Sequence, residues 1–276
     1  MKPYLRTFSR HSIPGKLLIF PRKSLGQNFL VDPRITAKII AACDFRRDET
    51  ALEIGPGKGA LTTLIAPSVG RLILIEKDER FCAQLRKDFP GPSVEIVHAD
   101  FLKWDLNNLP QGIKVVGNLP YYITTPIITR VLENREKFRQ LFITVQWEVG
   151  QRLLAVPRTK EYSAFGCFVR YYADCKLLFK IKRTCFRPMP KVDSCFMKME
   201  IPIEPKFPGV DEKRLFQIIY GAFGQRRKTI SNALSPFMDK EKLAPLLEQA
   251  GISREARPDQ LALEEYVRLV RLLTID

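Results

Sequence analysis

Thr50-Ala-Leu-Glu-Ile-Gly-Pro-Gly-Lys-Gly59, followed after a helix-like interval by Arg71-Leu-Ile-Leu-Ile-Glu76, decides the fold. A short apolar run breaks into closely spaced glycines, and a helical pattern begins at Leu61. That order reads as buried strand, turn and helix, with a second buried strand ending in an acid. Working outward, Val94–His98, Lys114–Gly117 and Leu141–Gln146 read as further short buried strands. Helical stretches lie around them at Pro33–Cys43, Leu61–Ala66, Glu79–Phe89 and Pro126–Glu133. Strands separated by helices predict a parallel α/β sheet with right-handed crossovers.

Further on, Leu177–Ile181 and Cys195–Ile201 are strand candidates flanking Phe186-Arg-Pro-Met-Pro-Lys191. Pro188 and Pro190 exclude a central strand there, so this segment is read as a rigid loop joining an antiparallel edge. Pro202, Pro205 and Pro208 mark a linker. Beyond it, Glu212–Ala222, Lys228–Leu234, Lys240–Ala250 and Ala262–Leu273 read as helices. The expected division is a basic N-terminal arm over 1–23, an α/β domain over 24–202 and a small all-α domain over 203–276.

The 276 residues carry 45 Lys plus Arg against 30 Asp plus Glu, a formal charge of +15. A large polyanion is the partner class this charge points to. The excess is uneven: residues 203–276 hold 12 basic and 11 acidic residues, the first 202 hold 33 and 19. No window approaches the length of a spanning helix, so no membrane is expected. Residues 1–23 carry six Lys or Arg and no acid, but Pro3, Pro14 and Pro21 break up an amphipathic helix. A flexible arm is expected there rather than a transit peptide. Six cysteines without a CxxC pair, and two histidines, provide no zinc site. They read as free thiols of a cytoplasmic protein with no metal.

Glycines at a strand-to-helix turn leave backbone N–H groups free and let a ligand approach closely. Gly55 is therefore a candidate ligand contact. Glu76, at the end of the next strand, can accept both hydroxyls of a ribose. Asp100, after the third strand, can accept an adenine amino group while Phe101 covers the ring. By themselves the glycines also fit a dinucleotide fingerprint, Gly55-x-Gly57-x-x-Ala60, which leaves a nicotinamide cofactor open at this point.

The fourth strand runs into Gly117-Asn-Leu-Pro-Tyr-Tyr122. In an open α/β sheet this turn falls beside the glycine loop. An exocyclic amine on adenine is a poor nucleophile because its lone pair is delocalised into the ring. The Asn118 side-chain oxygen and the Leu119 carbonyl can both accept hydrogen bonds from that NH2, favouring a tetrahedral, nucleophilic nitrogen. Pro120 stiffens the turn. Tyr121 is placed to stack on the base, worth about 1–3 kcal/mol.

With these motifs in order, the chain resembles the S-adenosylmethionine-dependent adenine-N6 dimethyltransferases of ribosomal RNA. Gly26-Gln-Asn-Phe-Leu-Val-Asp32 resembles their N-terminal cofactor motif, and Phe186-Arg-Pro-Met-Pro-Lys-Val-Asp-Ser194 their FxPxPxVxS loop. Gly221-Ala-Phe-Gly-Gln-Arg-Arg-Lys-Thr229 and Arg257-Pro-Asp-Gln-Leu261 resemble signatures of the bacterial 16S branch, the kasugamycin-resistance family. The resemblance spans about residues 24–270. It implies a Rossmann-like class I methyltransferase domain with a small all-α C-terminal domain. The implied cofactor is S-adenosyl-L-methionine, contacted by Asn28, Leu30, Gly55, Glu76, Asp100 and Asn118. Asn118, Leu119 and Tyr121 would hold the target base, with Phe186 over its other face. The implied substrate is 16S rRNA in the small ribosomal subunit, dimethylated at two adjacent adenosines near its 3′ end, late in assembly. The enzyme is expected to be a monomer. Trp147 stands where the family pattern has a lysine, a local surface or packing change.

Three alternatives stand beside this reading. The antibiotic-resistance relatives that modify 23S rRNA share the catalytic motifs but not the two C-terminal segments. An organellar paralogue acting as a transcription factor is supported by the basic N-terminus alone. A nicotinamide dehydrogenase lacks a catalytic His or Lys near the strand ends. For RNA, Arg135–Lys198 carries 14 basic and 5 acidic residues, interleaved with Tyr162, Tyr171, Tyr172 and Phe179. It is expected to form a phosphate-gripping rim, together with Arg226-Arg227-Lys228.

Overall fold

The structure, a computed structural model, describes residues 26–273. The arm at 1–23 lies outside the described residues. A seven-stranded sheet has the order β4-β3-β2-β5-β6-β9-β7. Its members are β2 (Thr50–Ile54), β3 (Arg71–Glu76), β4 (Val94–His98), β5 (Ile113–Asn118), β6 (Phe138–Gln146), β7 (Asp174–Ile181) and β9 (Ser194–Glu200). The pairings from β4 across to β6 are parallel, and β9 runs antiparallel to both β6 and β7. The antiparallel expectation therefore holds, but β9 is interior and β7 forms the edge. Two short strands, β1 (Phe29–Leu30) and β8 (Phe186–Arg187), pair separately: Leu30 stands opposite Phe186. Phe186-Arg187 thus enters a two-residue strand before the loop turns at Pro188.

Both faces of the sheet are covered, as its apolar strands require. Leu72, Leu74, Val116 and Phe142 face one side, where Ile39 of α1 (Pro33–Cys43) packs. Ile73, Ile75, Val115 and Ile143 face the other, towards α4 (Thr124–Glu133). The helices start where local chemistry places them. Asp32 caps α1 by accepting the Arg34 N–H at 2.9 Å, with Pro33 at the first helical position. After the short α2 (Thr62–Ile65), Asp78 caps α3 (Glu79–Asp88) in the same way.

Two helices not foreseen in the sequence fill the segment expected as an aromatic rim: α5 (Trp147–Leu154) and α6 (Ala164–Tyr172). Tyr162, Tyr171 and Tyr172 are buried, so they form core rather than an RNA surface. The reason is local. The Tyr172 hydroxyl donates to Glu212 at 2.6 Å, and the Phe216 ring lies 5.3 Å from Tyr171 and 5.7 Å from Tyr172. Glu212 and Phe216 belong to α7 (Glu212–Gly224). Three more helices complete the described residues: α8 (Ile230–Leu234), α9 (Lys240–Gln249) and α10 (Leu263–Leu273).

Candidate active site

Next to β2 the order of strand addition reverses, with β3 on one side and β5 on the other. At such a switch point the strand ends open a crevice. The cleft found there has a volume of about 1060 Å3, its open mouth included. It is lined by Asn28, Leu30, Gly55, Glu76, Asp100, Asn118, Leu119 and Tyr121. Eight of the nine residues singled out in the sequence therefore meet in one place.

The glycine loop is built as its composition requires. Gly55 and Gly57 sit at φ +66° and +52°, a region that disfavours side chains. A Cβ at Gly55 would meet nothing within 4 Å, so its backbone borders open cleft. A Cβ at Gly57 would come within 2.9 Å of the Phe29 ring. Glu76 ties the loop to β3. One carboxylate oxygen accepts the Gly57 N–H at 2.9 Å and the other the Asp78 N–H at 2.8 Å. Burial pushes the Glu76 carboxyl above the usual carboxylate range, against these two hydrogen bonds. Each oxygen keeps a further lone pair for a hydroxyl. Asp100 accepts the Leu102 N–H at 3.0 Å and pairs with Lys77 at 2.8 Å. Partial burial opposes its charge, but Lys77 and the Leu102 N–H outweigh it and hold Asp100 below the usual range. An open glycine backbone with carboxylates at two strand ends fits a nucleoside-bearing ligand such as S-adenosylmethionine.

On the opposite wall, Asn118 ends β5. Its Nδ2 donates to the backbone carbonyl of Asn28 at 2.9 Å, which leaves Oδ1 as the acceptor end. Leu119 is buried, and Tyr121 opens a short 3-10 turn. The Tyr121 hydroxyl lies 2.7 Å from the Ser194 Oγ. Ser194, the last residue of the FxPxPxVxS loop, takes from this bond a role that the sequence does not assign it. Its place in that motif was the available signal. Asn28 acts here through its main chain, which no motif reveals.

Phe186 requires a correction. It is fully buried among Leu30, Phe142 and Phe196 and does not line the cleft. Its ring is held in the core by the β1–β8 pairing, so in this conformation it covers no base. The basic rim is also narrower than expected. Arg226 pairs with Asp259 at 3.0 Å and donates to the Thr159 carbonyl at 3.1 Å, while Arg227 and Lys228 stay exposed. Phe179 is half-buried with the Lys38 ammonium 4.2 Å from its ring centre. Trp147 is half-buried at the start of α5, and the Lys180 ammonium lies 5.0 Å from its ring centre. Among the described residues no cluster of metal-ligating side chains occurs, and no helix is long and apolar enough to cross a membrane.

Comparison with known proteins agrees with this geometry. The family model described as ribosomal RNA adenine dimethylase matches residues 21–274. A "Ribosomal RNA small subunit methyltransferase A" from Moorella thermoacetica is 41% identical, covering 94% of this chain and 97% of that protein. One of the same name from Clostridium acetobutylicum is 37% identical, covering 96% and 98%. Among solved structures, the 23S rRNA methyltransferase ErmE superposes with a TM-score of 0.70 at 28% identity, covering 89% of this chain and 99% of that one. A dimethyladenosine transferase from Plasmodium falciparum gives 0.78 at 23% identity, covering 89% and 97%, a likeness of fold. Read with a cleft that joins a nucleoside-fitting glycine loop to an amide whose nitrogen is already bound, these matches place the chain in the ribosomal RNA adenine dimethylase family, class I methyltransferases that take their methyl group from S-adenosylmethionine.

Proposed function

We propose that the chain dimethylates the N6 amines of two adjacent adenosines near the 3′ end of 16S rRNA, within the small ribosomal subunit. The observation that carries this is the Asn118 amide, whose nitrogen is occupied by Asn28 and whose oxygen is left to accept from an amine. The names of the bacterial relatives support the small-subunit substrate over the 23S alternative. Bound S-adenosylmethionine supplies an electrophilic methyl on a sulfonium. Gly55 and Leu30 would border its seat, Glu76 would accept from its ribose, and Asp100 would accept from its adenine. Asn28 and Asn118 close the seat on the target side.

Asn118 Oδ1 and the Leu119 carbonyl accept from the target NH2 and draw its nitrogen towards tetrahedral geometry. Tyr121 stacks on the base and aligns it for in-line attack. Neither a metal nor a strong base is needed, because the N6 proton becomes acidic once the new bond forms. For the second transfer only one N–H remains, so one acceptor suffices or the amine rotates. The target base has to leave its stack, at about a few kcal/mol. Arg227 and Lys228 are exposed cations suited to phosphates. In this reading the chain is a cytoplasmic monomer, with the α/β and helical domains meeting near residue 202.

The test offers labelled S-adenosylmethionine with unmethylated 30S particles, 50S particles or no RNA, followed by nucleoside analysis. N6,N6-dimethyladenosine on 30S is expected. Label on 50S, or a strictly monomethylated product, overturns the reading. Asn118→Ala is expected to lower the rate by about 100-fold or more, the scale of losing one transition-state hydrogen-bond partner. Undiminished transfer by a folded Asn118→Ala protein removes Asn118 from the chemistry.

A further inference from the structure

An asparagine amide is ambiguous. Its oxygen accepts, its nitrogen donates, and a half-turn of the terminal group exchanges them. A target amine meeting the nitrogen would find donor against donor. In this protein Nδ2 is held by the Asn28 carbonyl at 2.9 Å. The reversed amide would set two oxygens against each other there, losing a hydrogen bond and adding repulsion. The Asn28 carbonyl therefore decides which end of Asn118 faces the cleft.

That carbonyl is itself seated by its neighbour. The Phe29 ring meets Phe81 edge-on with centroids 5.5 Å apart. It lies so close to Gly57 that an added methyl would approach it to 2.9 Å. The Lys58 ammonium lies 5.1 Å from its ring centre, and Phe29 and Leu30 pair with β8. Phe29 thus rests on the glycine loop while the preceding carbonyl holds Asn118.

We propose that Phe29 is a positioning residue: it anchors the strap Gly26–Leu30, and the strap fixes the polarity of the Asn118 amide. The inference rests on the role given to Asn118 above. It joins the cofactor's glycine loop and the target-side amide through a single side chain.

The test uses full-length Phe29→Ala, Phe29→Leu, Asn118→Ala and the Phe29→Ala/Asn118→Ala double variant. Single-turnover methyl transfer to unmethylated 30S particles is measured at saturating S-adenosylmethionine. Calorimetry gives the cofactor Kd of each variant, and thermal melts establish that each is folded. Phe29→Ala is expected to slow transfer about 10- to 100-fold, as for a catalytic group misplaced by an ångström. The apolar Phe29→Leu variant is expected to restore most of the rate. Where Asn118 is already alanine, Phe29→Ala is expected to add less than about twofold, because coupled sites are not additive. Equal losses in both backgrounds overturn the proposal, as does a Phe29→Ala effect confined to cofactor Kd. A wild-type rate in Asn118→Ala overturns the Asn118 reading itself, and this one with it. A slow Asn118→Ala with multiplying losses overturns only the strap.

Discussion

Glu53 gives a prediction that depends on the interior of the site rather than on its rim. It sits on β2 behind the glycine loop, 2% exposed, and a carboxyl oxygen accepts the Thr62 hydroxyl at 2.6 Å. Burial pushes its carboxyl up from 4.5 to about 8, with the Thr62 hydrogen bond opposing and the Glu76 charge adding. The sign follows from proton binding. Between those two values the folded protein keeps the proton and the unfolded chain has lost it. Stability is therefore greatest below the unfolded value and falls as pH rises towards 8. The slope reaches at most about 1.4 kcal/mol per pH unit. Glu53→Gln leaves a group of the same size with no proton to lose. Urea unfolding of the cofactor-free protein at a series of pH values is the assay. The wild-type free energy is expected to decline faster than that of Glu53→Gln up to about pH 8, with the two parallel above it. Parallel profiles throughout would refute the neutral buried acid, and with it the picture of a dry floor beneath the glycine loop.

Three further outcomes are expected. Lys77→Met releases Asp100 from its ion pair, so its carboxyl rises and calorimetric cofactor affinity should fall off at a higher pH on the acid side than in the wild type; unchanged acid limbs would count against Asp100 as an adenine acceptor. Ser194→Ala and Tyr121→Phe each remove one end of the same hydrogen bond and should cost a similar amount in thermal melts, about 1 kcal/mol, whereas Tyr121→Ala also loses the stacking surface and should slow transfer about 10-fold or more. Alanine at both Arg227 and Lys228 should flatten the salt dependence of 30S binding by about 1–2 in log–log slope, while Arg226→Ala, which strips Asp259 of its partner, should show mainly as a loss of stability.

Strands β2, β3 and β4 match the expected bounds residue for residue, because each is a short apolar run bounded by a turn; β2 and β3 are buried as expected, whereas β4, at the sheet's edge, is only half-buried to exposed. Strand β6 begins at Phe138, earlier than the apolar run, because Arg139 and Gln140 lie in the strand but read as polar. The cleft residues were legible for a different reason: strand ends at a switch point converge whatever the details of packing. Three features escaped. Tyr171 and Tyr172 looked like a stacking surface because nothing local tells a buried tyrosine from an exposed one; Glu212 and Phe216, which bury them, lie some forty positions further on. The motif around Phe186 implies a ring over the base, but the burial of that ring depends on Leu30 across the β1–β8 pair. The Asn28 main-chain contact is a matter of backbone path, to which side-chain patterns are blind.

The interior position of β9 bears on how the chain comes into being. Residues 26–119 contain all the residues proposed to contact the cofactor, and they leave the ribosome before Tyr121 and β9. Tyr121 waits for a partner 73 positions further on. Until β9 arrives, β6 presents an apolar strand edge through Leu141, Ile143 and Val145 with no neighbour to pair. An exposed edge of that kind invites pairing with another chain. Once β9 is in place, the outermost strand on that side is β7, whose exposed Asp174, Lys176 and Lys180 discourage such pairing. One antiparallel strand therefore supplies the partner that holds Tyr121 and, in the same step, covers the open edge of β6.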